Sequence, residues 1–341
     1  MGKNISLSNH VTFYKKRDAL SCLNVDISGL CQLNCKMCSF QKWYGEKGIM
    51  SLETFKMLRA VLKKIKNIEL QANCEPLLNN QIIECIKFTK TINRKIRIRL
   101  VTNGMLLTPF MIAQLLKAGV HQISVSMDGA TKKTYERIRQ GANFEKAITN
   151  IKELVRQQKS RQNALPMVEL LAVASKINVQ ELPKILDLAK TLEIKNVSIN
   201  GLEPYSRAMA GKKLYVRPGE KVDKKCAKIF ADMRQKASRY KIKLKLPSLT
   251  AIPYFVCEMQ GCVVHWNGFV SPCPLLSYER PYWYFGRKYV HPRVVFGNIH
   301  KKNLLDIWRS REYEAFRSRL RSGHLPEYCS RCLLQQRVLC V

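Results

Sequence analysis

Three cysteines, Cys31, Cys35 and Cys38, stand in the stretch Cys31-Gln-Leu-Asn-Cys35-Lys-Met-Cys38, separated by three and then two residues. Three thiolates at this spacing can hold three irons of a [4Fe–4S] cluster and leave the fourth iron without a protein ligand. An iron left open binds a small molecule and does chemistry on it. The competing use is a structural zinc site, which needs a fourth Cys or His close by.

A second group of thiols lies near the C-terminus, as Cys257-x4-Cys262-x10-Cys273 and Cys329-x2-Cys332-x7-Cys340. The chain around them is rich in glycine and aromatics and shows little periodicity. Such a segment needs a staple, and the cysteines supply one, through iron–sulfur ligation or as a zinc ribbon. Cys22, Cys74, Cys85 and Cys226 fall in apolar or helical contexts and read as packing residues.

The elements that must carry these groups follow from the apolar pattern. Strand-like runs at Cys22–Ile27, Ile68–Gln71, Ile96–Thr102, Gln122–Met127, Val168–Ala174 and Asn196–Asn200 alternate with amphipathic stretches at Leu52–Lys64, Gln81–Lys90, Pro109–Ala118, Phe144–Gln157 and Val179–Leu192. Six β/α units in sequence predict an α/β fold, a parallel sheet covered by helices. Active sites on such parallel β/α sheets sit at the C-terminal ends of the strands, where the first cysteine loop leaves its strand. In Lys95-Ile96-Arg97-Ile98-Arg99-Leu100, basic and apolar residues alternate with the strand period. Arg97 and Arg99 then either line the barrel, suited to phosphate or carboxylate, or face water at its rim. A basic connector at 211–250, helical around Val222–Tyr240, separates residues 1–210 from a cysteine-rich domain at 251–341 that is helical only at Leu304–Leu320.

The chain has 341 residues and a formal net charge of +34, from 59 Lys and Arg against 25 Asp and Glu. This field favours an anionic substrate or partner. No aromatic-interleaved basic run forms a nucleic-acid platform. No stretch approaches the roughly 20 apolar residues of a membrane span. The first residues lack the apolar core of a signal peptide, although Gly2 and Ser6 loosely fit a myristoylation pattern. Thirteen cysteines without a secretion signal point to metal ligation in a reducing, cytoplasmic compartment rather than a disulfide framework.

The Cys31–Cys38 spacing resembles the cluster motif of the radical S-adenosylmethionine (SAM) superfamily, and four further segments resemble its barrel motifs in order. Glu75 and Pro76 match the Gly-Gly-Glu-Pro segment that meets the SAM amino group, with Asn73 and Cys74 in place of the glycines. Thr102-Asn103-Gly104 matches a Thr-Asn-Gly turn, where Gly104 supplies a positive φ and Asn103 a polar edge. Ser126 and Asp128 fall in a Ser-x-Asp-Gly signature. There Ser126 would bond the SAM ribose or carboxylate, while Asp128 either joins the site or caps the next helix. Arg139 lies in an Ile-Arg-x-Gly segment and is either the partner of the SAM carboxylate or a solvated helix arginine. Phe40 would pack on the adenine. The resemblance implies a partial (β/α)6 TIM-like barrel, a SAM-binding [4Fe–4S] cluster, and reductive cleavage of SAM to a 5′-deoxyadenosyl radical that abstracts hydrogen from a substrate. An electron donor such as ferredoxin or flavodoxin is implied with it.

The C-terminal segment, with Gly268-Phe-Val-Ser-Pro-Cys273, Gly297-Asn-Ile299 and Leu304-Leu-Asp-Ile-Trp308, resembles the SPASM auxiliary-cluster domain. Cys257, Cys273, Cys329 and Cys332 match its single-cluster arrangement, so at least one auxiliary Fe–S cluster is implied. Cys262 and Cys340 are left as extra ligands, a labile site, or a thiol that donates hydrogen to a substrate radical. The stretch from Ser271 to Ile299 further resembles radical SAM maturases of tungsten-cofactor oxidoreductases, implying a tungstopterin cofactor or its host enzyme as substrate. Two other readings stand beside it. One is epimerisation or crosslinking of a ribosomally made peptide; the other is a non-catalytic Fe–S or zinc protein that binds nucleic acid.

Overall fold

Alternate residues of the central strands divide cleanly by polarity, and that division builds the fold. Ile68, Ile98, Leu100, Ile123, Val125, Leu170 and Val197 are buried on one face, while Arg99, Ser124, Glu169 and Ser198 share the other. Side chains alternate with period two, so the apolar set meets the covering helices and the polar set lines the inner face. The computed structural model describes residues 20–40, 45–70, 73–161, 165–214, 221–247, 261–284, 286–330 and 332.

In chain order the first part runs β1 (Cys22–Val25), α1 (Leu52–Lys56), α2 (Arg59–Leu62), β2 (Asn67–Glu69), α3 (Ile82–Ile92), β3 (Arg97–Thr102), α4 (Pro109–Ala118) and β4 (Gln122–Ser126). It continues with α5 (Lys132–Ile138), α6 (Phe144–Lys159), β5 (Met167–Ala174), α7 (Leu182–Thr191), β6 (Asn196–Gly201), α8 (Arg207–Ala210), α9 (Lys224–Arg239) and β7 (Lys243–Lys245). The C-terminal part has β8 (Gly261–Val264), β9 (Phe269–Ser271), β10 (Arg280–Tyr284), β11 (Arg287–His291), β12 (Gly297–Asn298), α10 (Leu304–Trp308), α11 (Arg311–Arg321) and α12 (Glu327–Ser330). All six expected strands form, in parallel and in sequence order, with Leu23 opposite Ile68 and Ile68 opposite Ile98. Among the described residues the strand order is β12-β9-β8-β1-β2-β3-β4-β5-β6-β7, an open sheet.

Three differences from the expected pattern have local causes. The Leu52–Lys64 stretch breaks into α1 and α2, because Leu58 N donates to Phe55 O and Val61 N to Leu58 O, three-residue bonds that tighten the helix. The basic stretch after residue 211 is more than a connector: α9 buries Cys226, Phe230, Met233 and Ala237, and β7 pairs in parallel with β6. Lys236 Nζ and Tyr240 Oη fix α9 to Asp187 of α7 at 2.5 and 2.8 Å. The expected Leu304–Leu320 helix is interrupted at Ser310, whose hydroxyl accepts from Tyr313 N and starts α11 afresh.

The C-terminal part is joined to the barrel by backbone pairing. β8 lies parallel to β1, with Cys262 opposite Leu23 and Val264 opposite Val25. The Trp266 ring closes over the start of the cysteine loop. A Cβ on Gly48 would fall 2.4 Å from that ring, so only glycine fits there.

Arg99 does point inward, but its charge is taken. It reaches Glu69 at 2.8 Å and Glu169 at 3.3 Å, and Glu169 also accepts from Ser124 and Ser198, each at 2.5 Å. Burial pushes the Glu169 carboxyl up, but these hydrogen bonds and the arginine outweigh it and hold the group below its ordinary range. The phosphate-binding alternative for Arg99 is therefore replaced by a cross-braced inner face, while Arg97 is exposed to water. Of the four cysteines read as packing residues, Cys74, Cys85 and Cys226 are buried free thiols. Cys22 is buried too, but is disulfide-bonded.

Candidate active site and second cysteine centre

The first cysteine loop follows β1 at the C-terminal end of the sheet and is clamped on two sides. Asn34 N donates to Gln140 O and Lys36 N to Ile138 O, each at 2.9 Å, so the end of α5 holds one edge. Glu75 N donates to Leu30 O at 2.9 Å, so the turn after β2 holds the other. Phe40 N donates to Cys38 Sγ at 3.3 Å, and Asn103 Nδ2 reaches Cys31 Sγ at 3.9 Å. Burial raises the pKa of all three thiols, and with the neighbouring Cys35 and Cys31 adding to burial it takes Cys38 to about 12. Thiols held together yet reluctant to ionise alone gain their thiolate form by binding metal. Among the described residues no three Cys, His, Asp or Glu side chains converge on a single ion. The donor set fits a cluster, in which each thiolate holds a separate iron.

Glu75 ties the strand ends together beneath this loop. Its Oε1 accepts from Thr102 Oγ1 at 2.7 Å and Leu77 N at 3.2 Å, and its Oε2 accepts from Asn103 N at 2.7 Å. Burial raises its carboxyl to about 7 despite these bonds. Pro76 opens the short turn Pro76–Leu78, and Gly104 has the expected positive φ of 83°. Asn103 Oδ1 accepts from Gln32 Nε2 at 3.2 Å, which returns the chain of contacts to the cysteine loop. Ser126 ends β4 and is buried.

Asp128 does not cap the helix after β4. Thr131 does so, accepting from Thr134 N. Asp128 is fully buried, accepts from Val173 N at 2.7 Å, and pairs with Arg139 Nε at 2.6 Å. Arg139 is not a solvated helix residue either, for its side chain is only 12% exposed. Burial alone would lower its pKa, but Asp128 and then Cys35 reverse this and keep the guanidinium charged.

Residues from the C-terminal part complete the surroundings of the loop. The Phe40 ring is buried with Cys74 and Tyr278, with Cys31 and Cys38 packed against them. Lys47 Nζ lies 4.3 Å from the Phe40 ring centre. Tyr278 Oη donates to Asp26 Oδ2 at 2.7 Å, and Arg280 Nη1 donates to Ser39 Oγ at 2.7 Å. Asp26, Ser39, Gln32, Tyr278 and Arg280 carried no recognisable signal, because each depends on a contact between distant segments.

The second centre gathers part of its expected set. Cys273 follows β9, and Cys329 lies in α12 within electrostatic reach of it. Burial, and then Cys273, raises the Cys329 thiol to about 12. Cys332 N donates to Cys329 O at 3.1 Å. Cys257 and Cys340 lie outside the described residues. Cys262 lies on β8, 1% exposed, in the same apolar core cluster as Cys273, and Arg317 is the charged group that acts on its thiol.

Residues 25–189 match the radical SAM superfamily, and residues 257–333 match the SPASM iron–sulfur cluster-binding domain. The chain is 27% identical over 323 residues to the tungsten-containing aldehyde ferredoxin oxidoreductase cofactor-modifying protein of Pyrococcus furiosus, covering 92% of this chain and 87% of that one. It is 28% identical over 268 residues to the AdoMet-dependent heme synthase of Methanosarcina barkeri, covering 72% and 69%. Its fold is similar to SuiB of Streptococcus suis, with a TM-score of 0.67 at 16% identity over 88% of this chain and 68% of that one. It is also similar to anSMEcpe with bound AdoMet, with a TM-score of 0.63 at 19% identity over 92% and 86%. The first domain implies a [4Fe–4S] cluster and SAM, and the second implies auxiliary iron–sulfur ligation. Two family matches, one on the barrel and one on the part stitched to its edge, make this chain a radical SAM enzyme with a SPASM domain.

Proposed function

We propose that the enzyme modifies a metal–pterin cofactor or the oxidoreductase that houses it, with tungstopterin as the first candidate. The observation that carries this reading is similarity to the P. furiosus cofactor-modifying protein across both domains, over 92% of the chain. The net charge of +34 suits a phosphate-bearing pterin.

In this reading Cys31, Cys35 and Cys38 hold the first cluster, and Cys257, Cys273, Cys329 and Cys332 hold an auxiliary one. When bound, the first cluster and SAM supply one-electron cleavage of SAM and hydrogen abstraction from the substrate. Glu75, Pro76, Asn103, Ser126 and Arg139 form the protein side of the SAM site, and Phe40 closes one wall of it. Asp128 acts through Arg139, holding the guanidinium in place rather than touching SAM. The enzyme works in the cytoplasm with a low-potential donor such as ferredoxin or flavodoxin.

The test is 5′-deoxyadenosine formation by the anaerobically reconstituted enzyme with SAM and dithionite, with and without a cofactor-loaded tungsten oxidoreductase. Several-fold stimulation, with deuterium from a labelled cofactor appearing in the nucleoside, is expected. Stimulation by a short peptide in place of the oxidoreductase would overturn the reading in favour of peptide modification.

A further inference from the structure

Arg280, the first residue of β10, is 1% exposed and reaches both cysteine loops at once. Its Nη1 donates to Ser39 Oγ at 2.7 Å and to Asn73 Oδ1 at 3.0 Å, while its Nη2 donates to Pro274 O. Ser39 follows Cys38 in the chain, and Pro274 follows Cys273. One planar, rigid guanidinium therefore fixes the residue next to a ligand of each centre, which a flexible ammonium could not do as firmly.

The charge at this position needs an explanation. All three hydrogen-bond acceptors are neutral, the Tyr205 ring lies 5.3 Å from the guanidinium carbon, and Nε has no hydrogen-bond partner among the described residues. His291, directly opposite Arg280 across the hairpin, is 1% exposed. Neither of its ring nitrogens has a hydrogen-bond partner among the described residues, and it stacks on Tyr282 at 3.8 Å. It carries no negative charge to offset the arginine. Asp26, whose buried carboxyl is raised to about 6, feels the Arg280 charge, but it accepts a hydrogen bond from Tyr278 and makes no ion pair with the guanidinium among the described residues. A cation in such surroundings costs several kcal/mol unless negative charge is brought close. Thiolate-ligated clusters on both sides would bring it.

We propose that Arg280 is a positioning residue that ties the first cluster's loop to the auxiliary cluster's loop and, through its buried charge, raises the reduction potential of both. This rests on the reading that Cys38 and Cys273 are cluster ligands. A positive charge held near both clusters favours their reduced, more negative forms. The same hydrogen bonds fix how the two loops face each other.

The experiment compares reconstituted full-length wild type, Arg280→Met, Arg280→Lys and Arg317→Met, by iron content and by EPR-monitored redox titration of each cluster. Arg317 is an equally deep arginine of the same domain, held by Trp308 O and Glu314 rather than by either cysteine loop. Expected is a fall in both midpoint potentials in Arg280→Met with iron retained, most of it recovered in Arg280→Lys, and no shift in Arg317→Met. If Arg280→Met does not fold, Arg280→Gln, also uncharged, carries the same expectation. Unchanged midpoints in the uncharged variant, movement of one cluster alone, or an equal shift in Arg317→Met would overturn the proposal. Wild type holding only the first cluster would instead remove the ligand reading on which it rests, and its iron content would show this before any variant is compared.

Discussion

The two cysteine centres are supported in different ways. Around the first, three thiols within eight residues sit on a loop braced by buried ionisable groups, the hydrogen-bonded Glu75 beneath it and the Asp128–Arg139 ion pair beside it. Around the second, the chain is held by aromatic packing. Phe296 stacks on Tyr313 at 4.1 Å, and Arg317 lies 3.9 Å over the Trp308 ring. The first centre is fixed by hydrogen bonds and charge from several strand ends. The second shares the continuous apolar core of the barrel, and its thiols come from distant points of the chain. Directional polar bracing suits a site that must orient a small charged molecule, whereas aromatic packing suits one that has only to hold its cluster.

The largest effect that would test this contrast is at the first centre. Cys35→Ala should abolish 5′-deoxyadenosine formation and cost about four irons per chain while leaving auxiliary iron in place, read by iron analysis and chromatography of the nucleoside. Loss of all iron would show that the two centres assemble as one.

The charged bracing is tested next. Asp128→Asn leaves Arg139 buried without its counter-charge and should cost about 3–5 kcal/mol in denaturant unfolding. Glu53→Gln breaks an exposed pair with Lys56 and should cost less than about 0.5 kcal/mol. Equal effects would mean that the buried pair contributes nothing special.

The two regions should also respond to pH in opposite senses. Burial lowers the pKa of His265 and His291 to about 3, so both stay neutral in the folded chain and take up protons on unfolding. Their contribution is complete above the ordinary histidine value near 6.5 and is lost as pH falls from there toward 3. The loss should reach roughly 2–3 kcal/mol per histidine by pH about 4.5. Burial raises the carboxyls of Asp26 to about 6 and Glu75 to about 7, so they favour folding in the protonated form. That contribution is lost as pH rises from about 4 to 7. Cluster-free protein should therefore weaken in the C-terminal part on acidification, seen by emission from Trp266, Trp283 and Trp308. It should weaken at the barrel end as pH rises from about 4 to 7, seen by hydrogen exchange at the strand ends. A single transition with one pH dependence for both probes would erase the distinction.

The smallest effect sharpens the assignment within the second centre. Cys262→Ala should leave iron content unchanged and cost about 1 kcal/mol, as expected for trimming a packed core thiol. Loss of auxiliary iron in this variant would restore Cys262 as a ligand.

Much of the barrel could be read from the chain because its cues are local. The alternation at Arg97–Thr102 and the Thr108-Pro109 start of α4 need only neighbouring residues to be recognised. The first cysteine loop was legible for the same reason. What escaped depends on distance along the chain. Asp128 and Arg139 were both singled out, but their pairing required the α5 turn to bring them together. Tyr278 meets Asp26 across 252 residues, and Arg280 meets Ser39 across 241. The strand at β7 was missed because Lys243 and Lys245 place charge on a short edge, which hides the usual apolar signal.

The parallel pairing of β8 with β1 has a consequence for anyone who would handle the parts separately. A fragment ending at residue 250 would keep the barrel's own strands but strip the cover from β1, exposing a row of unsatisfied amides along an apolar strand. Such a bare edge recruits a neighbouring chain. The C-terminal part is therefore not an exchangeable module that can be swapped between barrels, and chimaeras joined at the connector should aggregate unless the strand at Gly261–Val264 travels with the barrel it completes.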